Sequence, residues 1–126
     1  MLVDTDVLIW YMRGNDRAHD LMEGLTGFSI SVVTYMELVQ GMKNKAELNS
    51  LRQALRVWNA TILYLSEEIS AKAMIYMEQH FLSHSLELAD ALIGATALSH
   101  GLPLLTGNDK HYRVLANIKI SKFSPR

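Results

Sequence analysis

Four carboxylates recur in this chain where a sheet-based fold could gather them. Asp4 follows the apolar pair Leu2-Val3, and Thr5 and Asp6 come directly after it. Glu37 lies in the first helical turn after the β-branched run FSISVV. Asp90 lies in the first turn of the apolar stretch LADALIGATAL, and Asp109, beside Asn108, follows LPLLT. Carboxylates crowded together repel one another and take up protons unless a cation neutralises them. The chain has no cysteine, which excludes zinc–thiolate sites, iron–sulfur clusters, disulfides and a cysteine nucleophile. Hard oxygen ligands without a convincing His cluster favour Mg²⁺ or Mn²⁺ over zinc. Two such ions can activate a water and stabilise the leaving oxygen of a phosphodiester.

Each acid also has a plain structural explanation. Thr34-x-x-Glu37 has the form of a capping box and, taken alone, is better explained that way. Asp90 can complement a helix dipole, although an acid on an otherwise apolar helix needs a partner. Asn108-Asp109 can form a turn with an N-cap. Asp4 and Asp6 can cap a helix starting near Val7. Gly41 and Gly94 lie one turn after Glu37 and Asp90. They serve equally well to keep space open beside the acids or to let helices pack closely. His80 and His84 stand at i, i+4, a zinc-ligand spacing, but HFLSH lacks the acid of a zincin motif and fits surface histidines better.

The elements that must position these residues alternate between strand and helix. Strands are expected at 2–3, 28–33, 61–65, 104–106 and 118–123, the last at an edge. Helices are expected at 7–12, 17–25, from about 35, 46–59, from 66–67 onward, 87–100 and 109–116. Helix 87–100 has little polar surface and should be buried. Strands separated by helices imply right-handed crossovers and an α/β fold with a mostly parallel sheet covered on both faces. In such sheets, sites form at the carboxyl edge.

With 126 residues, 49% of them hydrophobic, the chain fits one domain over 1–126 and is too apolar to be disordered. Twelve Lys+Arg against 13 Asp+Glu argue against a protein that coats nucleic acid by bulk charge. Neither a basic leader nor about 18 consecutive apolar residues is present. The expected setting is the cytoplasm, with no membrane contact.

The segments VDTDVLIWYMRG, VVTYMELVQGM, LELADALIGATAL and GLPLLTGNDKHYRVL, in that order, resemble the PIN domain. More narrowly, they resemble the VapC-type toxins of bacterial and archaeal toxin–antitoxin pairs. The resemblance spans nearly the whole chain. It implies a three-layer α/β/α, PIN-like (Rossmann-like) fold and a Mg²⁺-dependent (or Mn²⁺-dependent) endoribonuclease. Asp4, Glu37 and Asp90 match the family's three main acids and would hold the metal, and Asp109 is assigned the fourth position. Asn108 occupies one place where the family carries Asp, and His111 falls where others carry an acid or His. Asp6 sits where the family often has Asn, as a supporting residue or extra ligand beside Thr5. Thr106 matches a Thr that orients the cluster. Hydrolysis by this route leaves 5′-phosphate and 3′-hydroxyl ends and needs no 2′-hydroxyl.

The resemblance also implies an RNA substrate, a VapB-type antitoxin partner and a homodimer. Arg13, Lys43, Lys45, Lys110 and Arg113 are expected to flank the acidic cleft and hold phosphates, although each is explained as well by solvated helix surface. Trp10, Tyr11, Met12 and the Leu/Trp stripe of helix 46–59 either belong to the core or build a dimer face and an antitoxin groove. Asp4-Thr5-Asp6-Val7-Leu8 also resembles the nucleophile motif of haloacid-dehalogenase-like phosphatases, with Leu8 where Thr or Val is required. A phosphoacceptor receiver domain would need an Asp ending the third strand. A PIN fold serving only as a binding module is the remaining alternative.

Overall fold

In the computed structural model, which describes residues 1–82 and 85–126, five short strands form one sheet. They are Leu2–Val3 (β1), Phe28–Ser31 (β2), Ala60–Leu63 (β3), Leu104–Thr106 (β4) and Ile120–Lys122 (β5). Their order is β3-β2-β1-β4-β5, and every pairing is parallel. Seven helices connect them: Thr5–Met12 (α1), Asp16–Glu23 (α2), Val32–Gln40 (α3), Lys45–Val57 (α4), Glu67–His80 (α5), Leu88–Ser99 (α6) and Asp109–Tyr112 (α7). His84 lies outside the described residues, so the His80/His84 spacing receives no structural account. No described helix is long and apolar enough to cross a membrane.

Strand alternation builds two cores. Val3 and Leu105 face a cluster with Val7, Leu8, Leu38 and Leu51, while their neighbours Leu2 and Leu104 face one with Ile69, Ala91, Ile93 and Tyr112. Successive side chains on a strand point to opposite faces, so a sheet whose central strands are apolar at every position must be covered twice. Helix α6 supplies much of the second cover and is buried from Ala91 through Ala97 except at Leu92.

Several boundaries depart from expectation for identifiable reasons. Strand β2 ends at Ser31, whose hydroxyl accepts the Val33 amide N–H at 3.1 Å and starts α3. Val32 and Val33 therefore join the helix despite their β-branching. Thr34 falls inside α3 and is fully buried, so Thr34-x-x-Glu37 is not a capping box. The box instead stands at α6, where Asp90 Oδ2 accepts the Glu87 amide N–H at 3.0 Å. Helix α7 stops after one turn instead of running to 116. Gly94 serves close packing: a Cβ there would press into Leu115 and lie 3.5 Å from Tyr112.

The order of strands reverses at β1, which has β2 on one side and β4 on the other. Connections on the two sides leave the sheet in opposite directions there and open a crevice at the carboxyl ends. Asp4 and Thr106 stand at that reversal.

Candidate active site

Register places the first two groups. Val3 pairs with Leu105, the Asp4 amide N–H donates to the Leu105 carbonyl at 2.9 Å, and the next side chains meet across the crevice. Thr106 Oγ1 donates to Asp4 Oδ2 at 2.8 Å, while Asp4 Oδ1 accepts the Thr5 amide N–H at 2.8 Å as the N-cap of α1. Asp4 thus caps a helix and stands in the crevice at once. Thr106 Oγ1 in turn accepts the Asn108 amide N–H at 2.9 Å, which fixes the direction of its proton.

Asp6 approaches from the first turn of α1. Its Oδ2 accepts the Gly107 amide N–H at 2.9 Å, whereas its Oδ1 is buried without a hydrogen-bond partner among the described residues. A Cβ on Gly107 would lie 2.6 Å from Asp6 Oδ2, so glycine is what allows that approach. Burial and the neighbouring Asp6 carboxylate push Asp4 up to about 7. Burial raises Asp6 as well. The pair is short of positive charge.

The other acids stand around it. Glu37 is exposed on α3, and its Oε1 accepts from Thr5 Oγ1 at 2.7 Å. Thr5 Oγ1 shares a second hydrogen bond with the buried Thr34 hydroxyl at 3.0 Å. Asp90 Oδ2 lies 3.1 Å from His111 Nδ1. Tyr112 is 1% exposed, and its phenol is raised by burial first and then by Asp4, Asp90 and Asp6. As placed, no three His, Asp or Glu side chains among the described residues converge closely enough to hold a metal ion. Glu37 and Asp90 are turned to local donors instead.

Asp109, assigned the fourth acidic position, is paired with basic side chains. Its carboxylate is buried at 5% exposure, and the partners it meets are cations. Arg113 Nε donates to Asp109 Oδ2 at 2.8 Å, and Lys122 Nζ lies 3.9 Å from Oδ1. These partners, Arg113 foremost, hold its carboxyl below the usual range. One turn of helix separates side chains by about 100° per residue, so His111, two positions on, takes the inward place. Arg113 is correspondingly committed to Asp109, unlike the exposed Arg13, Lys43, Lys45 and Lys110. Asn108 is exposed and makes no side-chain cap of α7. His111, Tyr112, Thr34 and Gly107 are the members that acid-counting passes over. The N-x-x-H-Y spacing, one helical turn after a strand, is the signal that marks two of them.

A groove of about 890 Å³ runs from Glu37 past Tyr11, Met12, Arg13, Met42 and Lys43 to Trp58. Tyr11 and Trp58 pack with ring centroids 5.0 Å apart. Trp10 and Met12 are exposed rather than core.

An all-parallel sheet with acids collected at its reversal point defines the class, and residues 1–117 match the PIN domain. The chain belongs to the PIN domain family. It is 35% identical over 125 residues to "Ribonuclease VapC10" of Mycobacterium tuberculosis, covering 94% of this chain and 90% of that one. "Ribonuclease VapC1" of Methanocaldococcus jannaschii is 32% identical over 119 residues, covering 91% and 80%. Among solved structures, a chain of a toxin–antitoxin complex from Klebsiella pneumoniae superposes with a TM-score of 0.79 at 28% identity, covering 99% and 97%. A chain of DNA-bound VapBC from Salmonella typhimurium shares the fold with a TM-score of 0.81 at 20% identity, covering 96% of both. The family match sets aside the phosphatase and receiver alternatives; β3 also ends in Leu63, where a receiver would need Asp.

Proposed function

We propose that this chain is a VapC-type toxin, a divalent-metal-dependent endoribonuclease restrained by a cognate VapB-type antitoxin. The observation that carries the catalytic part is the pair Asp4/Asp6 at the sheet reversal, with Asp6 Oδ1 buried and unpaired. A buried carboxylate beside a half-buried one with a buried, unpaired oxygen is costly unless a cation joins them. The donor set is all oxygen, which suits Mg²⁺ or Mn²⁺. Asp4, Asp6, Glu37 and Asp90 are the residues that would hold the ion, and Asp109 is not among them. When bound, the cation would lower the pKa of water and neutralise charge on the scissile phosphate.

The chain's own groups do the rest. Thr106 holds the Asp4 carboxylate in one rotamer. Thr5, braced by Thr34, holds Glu37 at the crevice. Arg13 and Lys43 on the groove that reaches Glu37, with Lys45 and Lys110 on neighbouring exposed surface, would hold phosphates on either side of the cut. The same groove, apolar along Met42, Leu51 and Trp58, suits an amphipathic antitoxin segment. A homodimer is supported by the exposed Met74, Ile75, Phe81, Leu82 and Leu88 around α5 and the start of α6.

The test is cleavage of a structured RNA pool with Mg²⁺, with Mn²⁺, with EDTA, and by Asp90→Asn with Mg²⁺. The expected result is metal-dependent cutting with 5′-phosphate ends that Asp90→Asn abolishes. Folded protein that neither cuts nor binds Mn²⁺ would instead be a binding module.

A further inference from the structure

Oxygen Oδ2 of Asp90 is engaged twice. It accepts the Glu87 amide N–H at 3.0 Å from its own helix N-terminus and faces His111 Nδ1 at 3.1 Å from α7. Both contacts fall on the same carboxylate oxygen. Two donors from different helices, converging on one oxygen, remove the rotation about Cβ–Cγ that would exchange the two oxygens. The backbone on each side is itself anchored. The His111 amide N–H donates to the Asn108 carbonyl at 3.0 Å, and α7 with the turn after it packs on α6 through Tyr112 and Leu115 against Gly94.

We infer that His111 is a positioning residue: it donates Nδ1–H to Asp90 Oδ2 and thereby fixes the orientation in which the Asp90 carboxylate would meet the divalent cation. This rests on the metal-site function proposed above. A ligand-orienting donor of this kind usually changes metal affinity by about 10- to 100-fold when removed. The imidazole is matched to Asp90 as a donor.

Titration of purified protein with MnCl₂, followed by calorimetry, tests this without any RNA. His111→Leu should bind Mn²⁺ at least about tenfold more weakly, with the metal-free melting temperature nearly unchanged. His111→Asn, whose side-chain N–H₂ occupies nearly the place of Nδ1–H, should recover most of that affinity. In cleavage assays, kcat should fall for His111→Leu while KM for RNA stays level. Mn²⁺ affinity within twofold of wild type in His111→Leu would overturn the positioning role. So would His111→Asp binding more tightly than wild type, since position 111 would then be a direct ligand. Failure of His111→Asn to recover affinity would likewise point to ligation by the ring itself. Asp90→Asn, run alongside, keeps the two levels apart. If wild type and Asp90→Asn bind Mn²⁺ alike, Asp90 is not a metal ligand, and the proposed site falls together with the role of His111.

Discussion

Asp4 and Asp109 are both buried aspartates just beyond parallel strands, 4% and 5% exposed, yet they are opposites electrostatically. Asp4 has hydroxyl and amide donors but no cation, and a second carboxylate stands beside it. Asp109 has Arg113 and Lys122. The first is pushed up to about 7 and the second is lowered. Burial alone therefore does not mark a reactive carboxylate. What distinguishes Asp4 is burial without its own counter-charge, the environment that shifts a carboxylate most. Asp109 has been neutralised from within the fold and works as a clip between α7 and β5.

The largest effect that would test this contrast is on catalysis. Asp4→Asn should lower metal-dependent RNA cleavage by at least about a hundredfold. Asp109→Asn should lower it by less than about tenfold and reduce the melting temperature by a few degrees. Equal losses of activity in two folded variants would erase the distinction.

The pH dependence of stability should separate the same two groups. Asp4 and Asp6 are raised on folding, so the folded state binds more protons than the unfolded one between about pH 4 and pH 7. Metal-free protein should then gain stability as pH falls from about 8 to about 5, by on the order of a few kcal/mol. Mn²⁺ should flatten that slope, because the ion replaces the protons. Asp109 is lowered, so its contribution is present above its unfolded value and fades only as pH drops below about 4. Thermal melts in EDTA and in Mn²⁺ across this range check both signs. A metal-free protein whose stability rises from pH 5 to pH 8 would contradict the charge deficit.

Smaller effects sharpen the geometry. Gly107→Ala should drive Asp6 Oδ2 off the Gly107 amide, since the new Cβ would stand 2.6 Å from it. Mn²⁺ affinity should fall by about tenfold, measured by calorimetry, with cleavage falling in step. Charge reversal of Lys43 and Lys45 should have the least effect on the chemistry. It should weaken RNA binding and reduce the slope of log affinity against log salt by about 1–2. An unchanged slope would remove these lysines from the substrate path.

Much was determined locally. The alternation of apolar strands with helices dictates a parallel sheet covered on both faces, and the sheet is entirely parallel. The positions of Asp4, Asp90 and Thr106 relative to strand ends and helix starts follow from short-range signals, as does burial of α6, whereas Glu37, expected in the first turn of its helix, lies beyond it because α3 starts at Val32. Those features depend on residues within a few positions of one another, where periodicity and capping act.

Other features were decided only in the folded chain, some by which of two competing local signals prevailed and some by contacts between distant segments. Whether Val32-Val33 extend a strand or open a helix depended on Ser31 capping α3. Which acid carries the capping box moved from Glu37 to Asp90. Gly94 could have opened space or closed it, and Leu115 closes it. The fate of Asp109 turned on Lys122, 13 positions away, and on Arg113 lying on its own helical face. His111 met Asp90 across 21 positions. A carboxylate's chemistry depends on the charges within a few ångströms, and which charges those are is a property of the packed helices and sheet, not of the local sequence.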